Sequence, residues 1–160
     1  MDATPHTGCV NIVAGQLDHP GVIALLQAHL RDMHAITPAE SVHALDLSAL
    51  RAGDIQFFSA WIDGVAVGCG ALRDLGGGQG ELKSMRTDAH RRGQGIGAAL
   101  LAHLLAQARA RGIGQLWLET GATDHFAPAH RLYARAGFER CGPFADYTDD
   151  PHSVFMTLRL

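Results

Sequence analysis

The chain has 160 residues, of which 47% are hydrophobic and 18% are charged, and its formal net charge is −3. These values predict one folded domain over residues 1–160, and they argue against disorder and against nucleic acid or an anionic membrane as a partner. No apolar run approaches the roughly 18 residues of a membrane span, the N-terminus lacks a secretory signal, and Cys9, Cys69 and Cys141 are scattered. We therefore predict a cytoplasmic protein with reduced thiols.

Hydrophobic periodicity and turn signals predict elements in the order β-α-α-β-β-β-α-β-α-β-β. The predicted bounds are strand 10–14, helix 19–33, a short helix reaching residue 45, strands 55–62, 65–73 and 81–87, helix 95–111, strand 115–120, helix 126–136, and strands 138–141 and 153–160. Thr37 stands three residues before Glu40, the order of a capping box, at the start of the short helix. Asp63-Gly64 is a hairpin signal, so the next three strands should form an antiparallel meander. The order predicts a mixed α+β fold, with helices on both faces of a mostly antiparallel sheet of about seven strands.

One predicted helix begins in a glycine-spaced segment, at Gly93, Gly95 and Gly97, directly after Arg91 and Arg92. A helix start leaves backbone N–H groups unpaired and carries positive potential, and glycine lets a ligand approach that backbone closely. Two arginines add donors suited to phosphate. A plain glycine-rich cap is the structural alternative, but three glycines would each cost about 1 kcal/mol of helix stability relative to alanine. We therefore predict a pyrophosphate site at this helix start.

Three phosphate-binding signatures compete for this segment. A P-loop is excluded because no G-x-x-x-x-G-K-[ST] run exists. The residues match a dinucleotide-binding fingerprint. Gly93, Gly95 and Ala98 satisfy G-x-G-x-x-A, and Glu119 could stand for the acid that binds the ribose. Against it, residues 88–92 separate the strand from the first glycine, and the chain lacks the further alternating strand–helix units of that fold.

The third signature is a family resemblance. Residues 92–97 (Arg-Gly-Gln-Gly-Ile-Gly) resemble the Q/R-x-x-G-x-G/A motif of the GNAT superfamily of acyl-CoA-dependent N-acyltransferases. Residues 129–138 resemble the A-x-x-L-Y-x-x-x-G-F block of the same superfamily, in the right order and one helix and one strand downstream. The resemblance implies a GNAT-like fold in which the central strands 81–87 and 115–120 splay apart, and it implies acetyl-CoA as the cosubstrate.

The resemblance also implies which residues hold that cosubstrate. Main-chain groups of three residues would pair with the pantetheine, namely Met85, Arg86 and Thr87. The pyrophosphate would lie on Arg92, Gly93, Gln94, Gly95 and Gly97. Phe126 stands where the family often carries an asparagine that contacts the cofactor. Thr120, Thr123 or the backbone could replace that contact, and Phe126 could instead pack against the cofactor's apolar arm.

Two residues match the family's catalytic positions. Tyr133 matches the tyrosine whose hydroxyl protonates the leaving thiolate, and a phenol is an acid of suitable strength for that step. Its structural alternative is a tyrosine packed in the core. Glu81 matches the catalytic glutamate of histone-acetylating members, and a partly desolvated carboxylate could serve as the base. Its alternative is a strand-start carboxylate that faces solvent. The implied route is direct attack on the thioester without an acyl-enzyme.

The sequence predicts the residues of the acceptor site less sharply than those of the cosubstrate site. In the superfamily it is built by the first two helices and the loop between the last two strands, which here contain His34, Glu40, His43 and the acidic run 146–151. An acidic loop would favour a cationic amine, whereas a solvated turn before Pro151 is the alternative. The chain's 10 histidines are scattered without H-E-x-x-H or paired cysteine spacing, so we predict no metal site.

The predicted function is an N-acetyltransferase that moves an acetyl group from acetyl-CoA to a primary amine of a small molecule or amino acid. Two alternatives remain open, which are acetylation of a protein or peptide amine and a non-catalytic module that senses acyl-CoA. The protein is expected to be a monomer or a homodimer.

Overall fold

The computed structural model describes residues 9–42 and 46–160. Its strands and helices, in chain order, are β1 (Asn11–Ala14), α1 (Pro20–Ile36), α2 (Leu47–Leu50), β2 (Ile55–Ile62), β3 (Val65–Gly76), β4 (Gln79–Thr87), α3 (Ile96–Ala110), β5 (Gln115–Gly121), α4 (Ala127–Arg135), β6 (Glu139–Cys141) and β7 (Ser153–Arg159). Short 3-10 helices lie at Ala39–Ser41, Ala89–Arg91 and Asp124–Phe126. No helix in the described ranges is both long and apolar enough to span a membrane.

The strands form one seven-stranded sheet in the order β1-β2-β3-β4-β5-β7-β6. Among the described strands, only the β4–β5 pair is parallel, and the other neighbours are antiparallel. Asp63 and Gly64 make the predicted β2–β3 turn with positive φ values of 49° and 75°, the geometry of a type I′ hairpin. Apolar residues of α3 and α4 form one core cluster with the sheet, and those of α1 and α2 form another. The predicted α+β fold and the β2–β4 meander are confirmed.

The central strands β4 and β5 separate part-way along their length. Their parallel register ends at Leu82 opposite Leu118. Beyond that point β4 stays paired with β3 as far as Thr87, and β5 stays paired with β7 as far as Gly121. The facing edges of β4 and β5 therefore diverge, which confirms the predicted splay and opens a gap in the middle of the sheet.

A β-bulge lies in β4 directly at this gap. Lys83 pairs with Ala71 and Arg86 pairs with Cys69, so that two residues of β4 face one residue of β3. The first of the two, Ser84, has a positive φ of 55°. A bulge adds a residue to one strand and re-aims the neighbouring side chains. At this position the bulge sets which β4 side chains enter the gap.

Glycines in β3 fix the position of α3. A Cβ atom on Gly68 would lie 2.9 Å from Leu100 Cδ1, and one on Gly70 would lie 2.7 Å from Met85 Sδ and 2.9 Å from Leu104 Cδ1. Such contacts are shorter than real Cβ contacts, so a side chain at either position would push α3 away from the sheet. The two glycines therefore let α3 pack closely on β3, with its first turn beside the end of β4.

The second predicted helix is corrected by the structure. Thr37 is not an N-cap but ends α1, because its N–H donates to the Met33 carbonyl at 3.0 Å. Pro38 explains this, since a proline disfavours helical geometry in the preceding residue, and Thr37 is extended at φ −127° and ψ 134°. The chain then makes a 3-10 turn at Ala39–Ser41 without a side-chain cap. The remainder of the prediction, residues 43–45, lies outside the described residues.

Candidate active site

The start of α3 presents unpaired backbone donors to solvent. Gly95 caps the helix with φ +81° and has no side chain to fill the cap position. The first N–H to donate back is that of Ala99, to the Gly95 carbonyl at 3.0 Å, so residues 96–98 keep N–H groups without helical acceptors. Residues 92–95 are exposed, and a Cβ atom on Gly93 or Gly95 would meet nothing within 4 Å. This open cluster of donors fits the pyrophosphate of a CoA ester.

Gly97 has a packing role beside its N–H group. A Cβ atom at Gly97 would lie 3.3 Å from Leu132 Cδ2 and 3.6 Å from Thr87 Oγ1. The first turn of α3 is therefore held against α4 and the end of β4. Gln94, like the glycines around it, is exposed beside this turn.

A cluster of charged side chains lies beside the start of α3, on the side of α1. Arg86 Nη1 donates to Asp32 Oδ2 at 2.6 Å. This hydrogen bond, together with the charges of Arg86, His125 and Arg92, lowers the pKa of Asp32 below its ordinary value. The Arg86 side chain thus contacts α1 and not the gap, so its predicted contact with the pantetheine would come from the main chain. The charge of Arg92 also acts on the Asp32 carboxylate.

A cavity of about 120 Å³ lies in the gap between β4 and β5. Its walls come from α1, the segment after α1, β4, β5 and α4. Of the predicted site residues, Glu81, Met85, Phe126 and Tyr133 line it. The others, Arg86, Thr87 and residues 92–97, lie outside this cavity, toward or at the start of α3. The structure therefore brings the two predicted catalytic residues to one cavity and keeps the predicted phosphate residues apart from it.

Tyr133 is both a core residue and a wall of the cavity. It is 7% exposed, and its ring packs edge-on against Phe138 with centroids 5.8 Å apart. Its hydroxyl makes no hydrogen bond within the described part of the chain. Burial and, less strongly, the negative charge of Glu119 raise the pKa of Tyr133, so the phenol stays protonated at neutral pH. A protonated hydroxyl at the gap can donate to an atom placed there.

Glu81 lies in a buried network with Lys83 and Tyr147. The Glu81 side chain is 1% exposed, so the solvent-facing alternative is wrong. Glu81 Oε2 accepts from the Tyr147 hydroxyl at 2.6 Å and from Lys83 Nζ at 3.1 Å, and Lys83 Nζ also donates to the Tyr147 oxygen at 2.8 Å. Tyr147 belongs to the acidic run between β6 and β7 and fastens that run to β4. One oxygen of Glu81 is therefore already committed to two donors.

Glu119 is a second carboxylate in the same cavity, although its sequence context suggested only a possible ribose ligand. It lies on β5 just beyond the last β4–β5 pair. Burial raises the pKa of Glu119 to about 7, against the opposing charge of Lys83 and with the added charges of Glu81 and Asp150. A carboxylate with this pKa can accept a proton near neutral pH. Glu81 pairs with Trp117, and Glu119 stands two residues after Trp117, so the alternation of side chains along β5 places both carboxylates on one face of the sheet.

A comparison of the sequence with known families decides the relationship. The sequence model of the Acetyltransferase (GNAT) family matches residues 22–138, from α1 through the A-x-x-L-Y-x-x-x-G-F block. The chain belongs to the GNAT family. Members of this family act as acetyltransferases and bind acetyl-CoA or CoA.

Relatives along most of the chain agree with this assignment. The uncharacterized N-acetyltransferase YsnE of Bacillus subtilis (strain 168) is 47% identical over 139 residues, covering 87% of this chain and 92% of YsnE. IAA acetyltransferase of Azospirillum brasilense is 43% identical, covering 84% of this chain and 88% of the relative. A Klebsiella pneumoniae crystal structure named for acyl-CoA N-acyltransferase activity superposes with a TM-score of 0.77 at 34% identity, covering 94% of this chain and 97% of that one. This GNAT protein is an acyl-CoA-dependent acyltransferase.

The GNAT protein departs from its family's asparagine position at Phe126, and the structure shows what the phenylalanine does. A Cβ atom on Gly121 would lie 2.0 Å from Phe126 Cε2, so the ring packs directly against the end of β5. His130 Nε2 lies 2.8 Å from the Gly121 carbonyl and joins α4 to the same point. Thr120 lines the cavity beside Phe126, whereas Thr123 is exposed. Phe126 thus forms an apolar wall at the outer end of the gap.

Gly121→Ala is expected to raise the KM for acetyl-CoA about tenfold or more, because the new methyl group displaces the Phe126 ring from the wall of the gap. Steady-state kinetics with the acyl-CoA varied would measure the change. Gly142→Ala is the matched control, since a Cβ atom there meets nothing within 4 Å. Equal KM values for the two variants would show that the position of the Phe126 ring does not affect donor binding.

On the α1 side, the cavity of the GNAT protein is lined by other residues than those predicted for the acceptor site. His34 and Glu40 are exposed and do not line the cavity, and His43 lies outside the described residues. His29 and Met33, one helical turn apart, line it instead. Burial lowers the pKa of His29 to about 4, so its imidazole is neutral at pH 7. Within residues 9–42 and 46–160, no group of three or more histidine, cysteine or acidic residues could hold a metal ion.

Proposed function

We propose that this GNAT enzyme transfers the acetyl group of acetyl-CoA directly to the primary amine of a small molecule or amino acid. One observation carries the proposal: the cavity between the splayed strands holds a protonated phenol, Tyr133, and a carboxylate that titrates near neutrality, Glu119. The exposed, glycine-spaced start of α3 lies beyond the same gap. A proton donor, a proton acceptor and an anion cradle are the parts that this reaction needs.

The donor would bind along the unpaired edge of β4. Beyond Leu82 none of the described strands lies beside this edge, so main-chain groups of Met85, Arg86 and Thr87 can pair with the amides of a pantetheine arm. The pyrophosphate would then reach the α3 start, on the residues Arg92, Gly93, Gln94, Gly95 and Gly97. Phe126 would pack against the apolar part of the arm. Acetyl-CoA supplies the acetyl thioester, and these contacts place it in the gap.

We assign Glu119 as the proton acceptor in preference to Glu81. The Glu81 carboxylate already receives hydrogen bonds from Lys83 and Tyr147 on one oxygen, so that oxygen is occupied by groups of the protein. Burial raises the pKa of Glu119 to about 7, which suits it to take a proton from an incoming ammonium ion. Glu119 would therefore deprotonate the acceptor, directly or through a water molecule, as its nitrogen attacks the thioester carbonyl.

Tyr133 would complete the proton balance of the transfer. One N–C bond forms to the acetyl carbon and one C–S bond breaks, which leaves the CoA sulfur as a thiolate. The Tyr133 hydroxyl donates its proton to that sulfur. The ammonium ion loses two protons as it becomes an amide: Glu119 takes the first and releases it to solvent, and the second replaces the proton given up by Tyr133. No covalent acyl-enzyme is needed, because the gap brings both reactants to one place and positioning supplies much of the rate.

The test is an acceptor screen that measures free thiol released from acetyl-CoA over a panel of primary amines. Thiol release that depends on a free small-molecule amine supports the proposal. A strong preference for peptides over free amines would favour the protein-modifying alternative. Binding of acetyl-CoA without thiol release from any amine or peptide would favour the sensing module. Stabilisation of the fold by NADH and not by acetyl-CoA would restore the dinucleotide alternative.

Gly95→Val is expected to weaken CoA binding about 100-fold, because its side chain would project into the open space before the α3 amides and cost roughly two hydrogen bonds to charged phosphate oxygens at ~1.5 kcal/mol each. Calorimetry with CoA would measure the loss. Gly112→Val is the matched control at the other end of α3, since Gly112 has φ +78° against +81° for Gly95 and equally open surroundings. Both variants carry the same backbone strain, so equal losses of CoA affinity would place the anion site elsewhere.

We further propose that the enzyme acts in the cytoplasm. Its three cysteines, Cys9, Cys69 and Cys141, are all free thiols, and a reducing compartment keeps such thiols reduced. Cell fractionation of the native source would test this.

A further inference from the structure

We propose that the acceptor amine carries a carboxylate, which is bound by the Lys83 ammonium and the Ser84 hydroxyl while the amine faces Glu119. The acceptor class is therefore the amino acids and related aminocarboxylates, and not simple amines or polyamines. This inference rests on the proposed function and specifies the chemistry of the same cavity.

Lys83 places an ammonium group in the cavity wall. Its side chain is only 7% exposed. An ammonium group has three N–H donors, and the described residues account for two of them, the bonds to Glu81 at 3.1 Å and to Tyr147 at 2.8 Å. A buried donor without an acceptor is costly, so the remaining N–H favours an acceptor atom supplied by a ligand.

Ser84 places a second donor beside the first. It is 9% exposed, lines the same cavity, and its Oγ is buried without a hydrogen-bond partner among residues 9–42 and 46–160. Successive side chains of a regular strand point to opposite faces, but the bulge at Ser84, with φ +55°, lets Lys83 and Ser84 line one cavity together. The unpaired hydroxyl and the strained backbone of Ser84 both lower the stability of the fold. Such features are common at positions where a protein binds a ligand.

The two donors lie across the gap from Glu119. Lys83 and Ser84 belong to β4 and Glu119 to β5, and the charge of Lys83 acts on Glu119. An amino acid carries its ammonium and carboxylate groups close together, so it can face both walls at once. Because Glu81 already neutralises Lys83, a zwitterion brings no net charge into the cavity, which keeps its burial inexpensive.

The same arrangement disfavours a second cation on the acceptor. Near the cavity, a polyamine's second ammonium would meet Lys83, because the Glu81 carboxylate is engaged by Lys83 and Tyr147. Asp146 and Asp149 are exposed and do not line the cavity. Selection against the wrong acceptor by an unpaired like charge is a common source of specificity.

The experiment compares amino acids with their carboxamides. Glycine, alanine, methionine, phenylalanine and glutamate are each assayed with acetyl-CoA against glycinamide, alaninamide and the corresponding amides, by thiol release at pH 7.5. We expect kcat/KM to be about 10- to 100-fold higher for the acid of at least one pair, mainly through KM. An α-amine beside an amide has a pKa of only about 8, so without carboxylate recognition the amide would have more free amine and react faster. Equal or faster reaction of every amide overturns the inference.

Variants connect the preference to the two donors. Ser84→Ala and Lys83→Gln are each expected to reduce the acid-to-amide ratio about tenfold, and the glutamine amide can still donate to Glu81, so that carboxylate is not left unpaired. Arg51→Gln is the matched control, because Arg51 is an exposed cation paired with Asp18 away from the cavity. An unchanged ratio in folded Ser84→Ala and Lys83→Gln, as judged by CoA binding, would contradict the assignment.

A binding measurement separates this inference from the proposed function. The acid–amide pairs are titrated by calorimetry into the enzyme saturated with CoA, which requires no turnover. Tighter binding of the acids without thiol release from any amine would overturn the transfer reaction and keep the carboxylate site. Thiol release with amides as good as acids would keep the reaction and overturn the site. Binding of neither member of any pair would also overturn it.

Discussion

Tyr133→Phe is expected to lower kcat about 100-fold or more while CoA affinity stays within about threefold of that of the wild-type enzyme. The variant loses only the hydroxyl, which has no partner in the described part of the chain. The ring remains, so the edge-on contact with Phe138 and the burial of the side chain are kept. Thiol release under saturating substrates measures kcat, and calorimetry with CoA measures the affinity.

The chain's second tyrosine is the control for this result. The Tyr147 hydroxyl contacts Glu81 and Lys83 and not the gap beside Tyr133, so Tyr147→Phe should reduce kcat less than about tenfold. A comparable loss in both variants would point to the Glu81 network as the source of the catalytic proton. A large loss of CoA affinity in Tyr133→Phe would mean that its hydroxyl binds the donor instead of protonating the thiolate.

Glu119→Gln is expected to lower kcat/KM about 100-fold and to remove the acidic limb of its pH profile. Glu119 has a raised pKa of about 7, and a base acts only when deprotonated, so kcat/KM of the wild-type enzyme should fall as pH drops below 7. The charged groups that face Glu119 are Lys83 and Glu81 on β4 and Asp150 before β7, with the phenol Tyr133 on α4. Initial rates between pH 5.5 and 9 with one fixed acceptor would measure the limb.

Glu81→Gln distinguishes the two carboxylates in the same assay. The glutamine can still accept from Tyr147, and Glu119 is untouched, so the limb near pH 7 should persist in this variant. If Glu81→Gln loses the limb and Glu119→Gln keeps it, then Glu81 is the base, as its position in the family pattern suggested.

The fold was predictable because its signals are local. Asp63-Gly64 forms the β2–β3 turn through two positive φ values, and Gly95 begins α3 because it tolerates φ +81°. Thr37 was misassigned for an equally local reason, since the effect of Pro38 on its backbone outweighs the capping-box pattern. Helix and strand bounds otherwise moved by only a few residues.

The site was predictable only in part because its key contacts are not local. The family motifs predict roles for Tyr133 and for the start of α3, and these roles stay predictions. The bond between Tyr147 and Glu81, in contrast, joins residues 66 apart in sequence and matches no motif. Lys83 and Ser84 line one cavity because of a β-bulge, and the hydrophobic periodicity of the sequence does not predict this bulge. The raised pKa of Glu119 depends on how deeply the end of β5 is buried, which only the packed sheet determines.

The β4–β5 register has a consequence for the mechanical integrity of the molecule. Among the described residues, the backbone pairing of β4 with β5 runs from Gln79–Gln115 to Leu82–Leu118, at one end of the two strands. Beyond that end the two halves of the sheet are held together by side chains, such as Tyr147 with Glu81, and by the packed helices, and not by strand pairing. A donor bound between these strands would add backbone bonds where strand pairing is missing, so the resistance of the protein to heat and to proteolysis is expected to rise with the donor concentration.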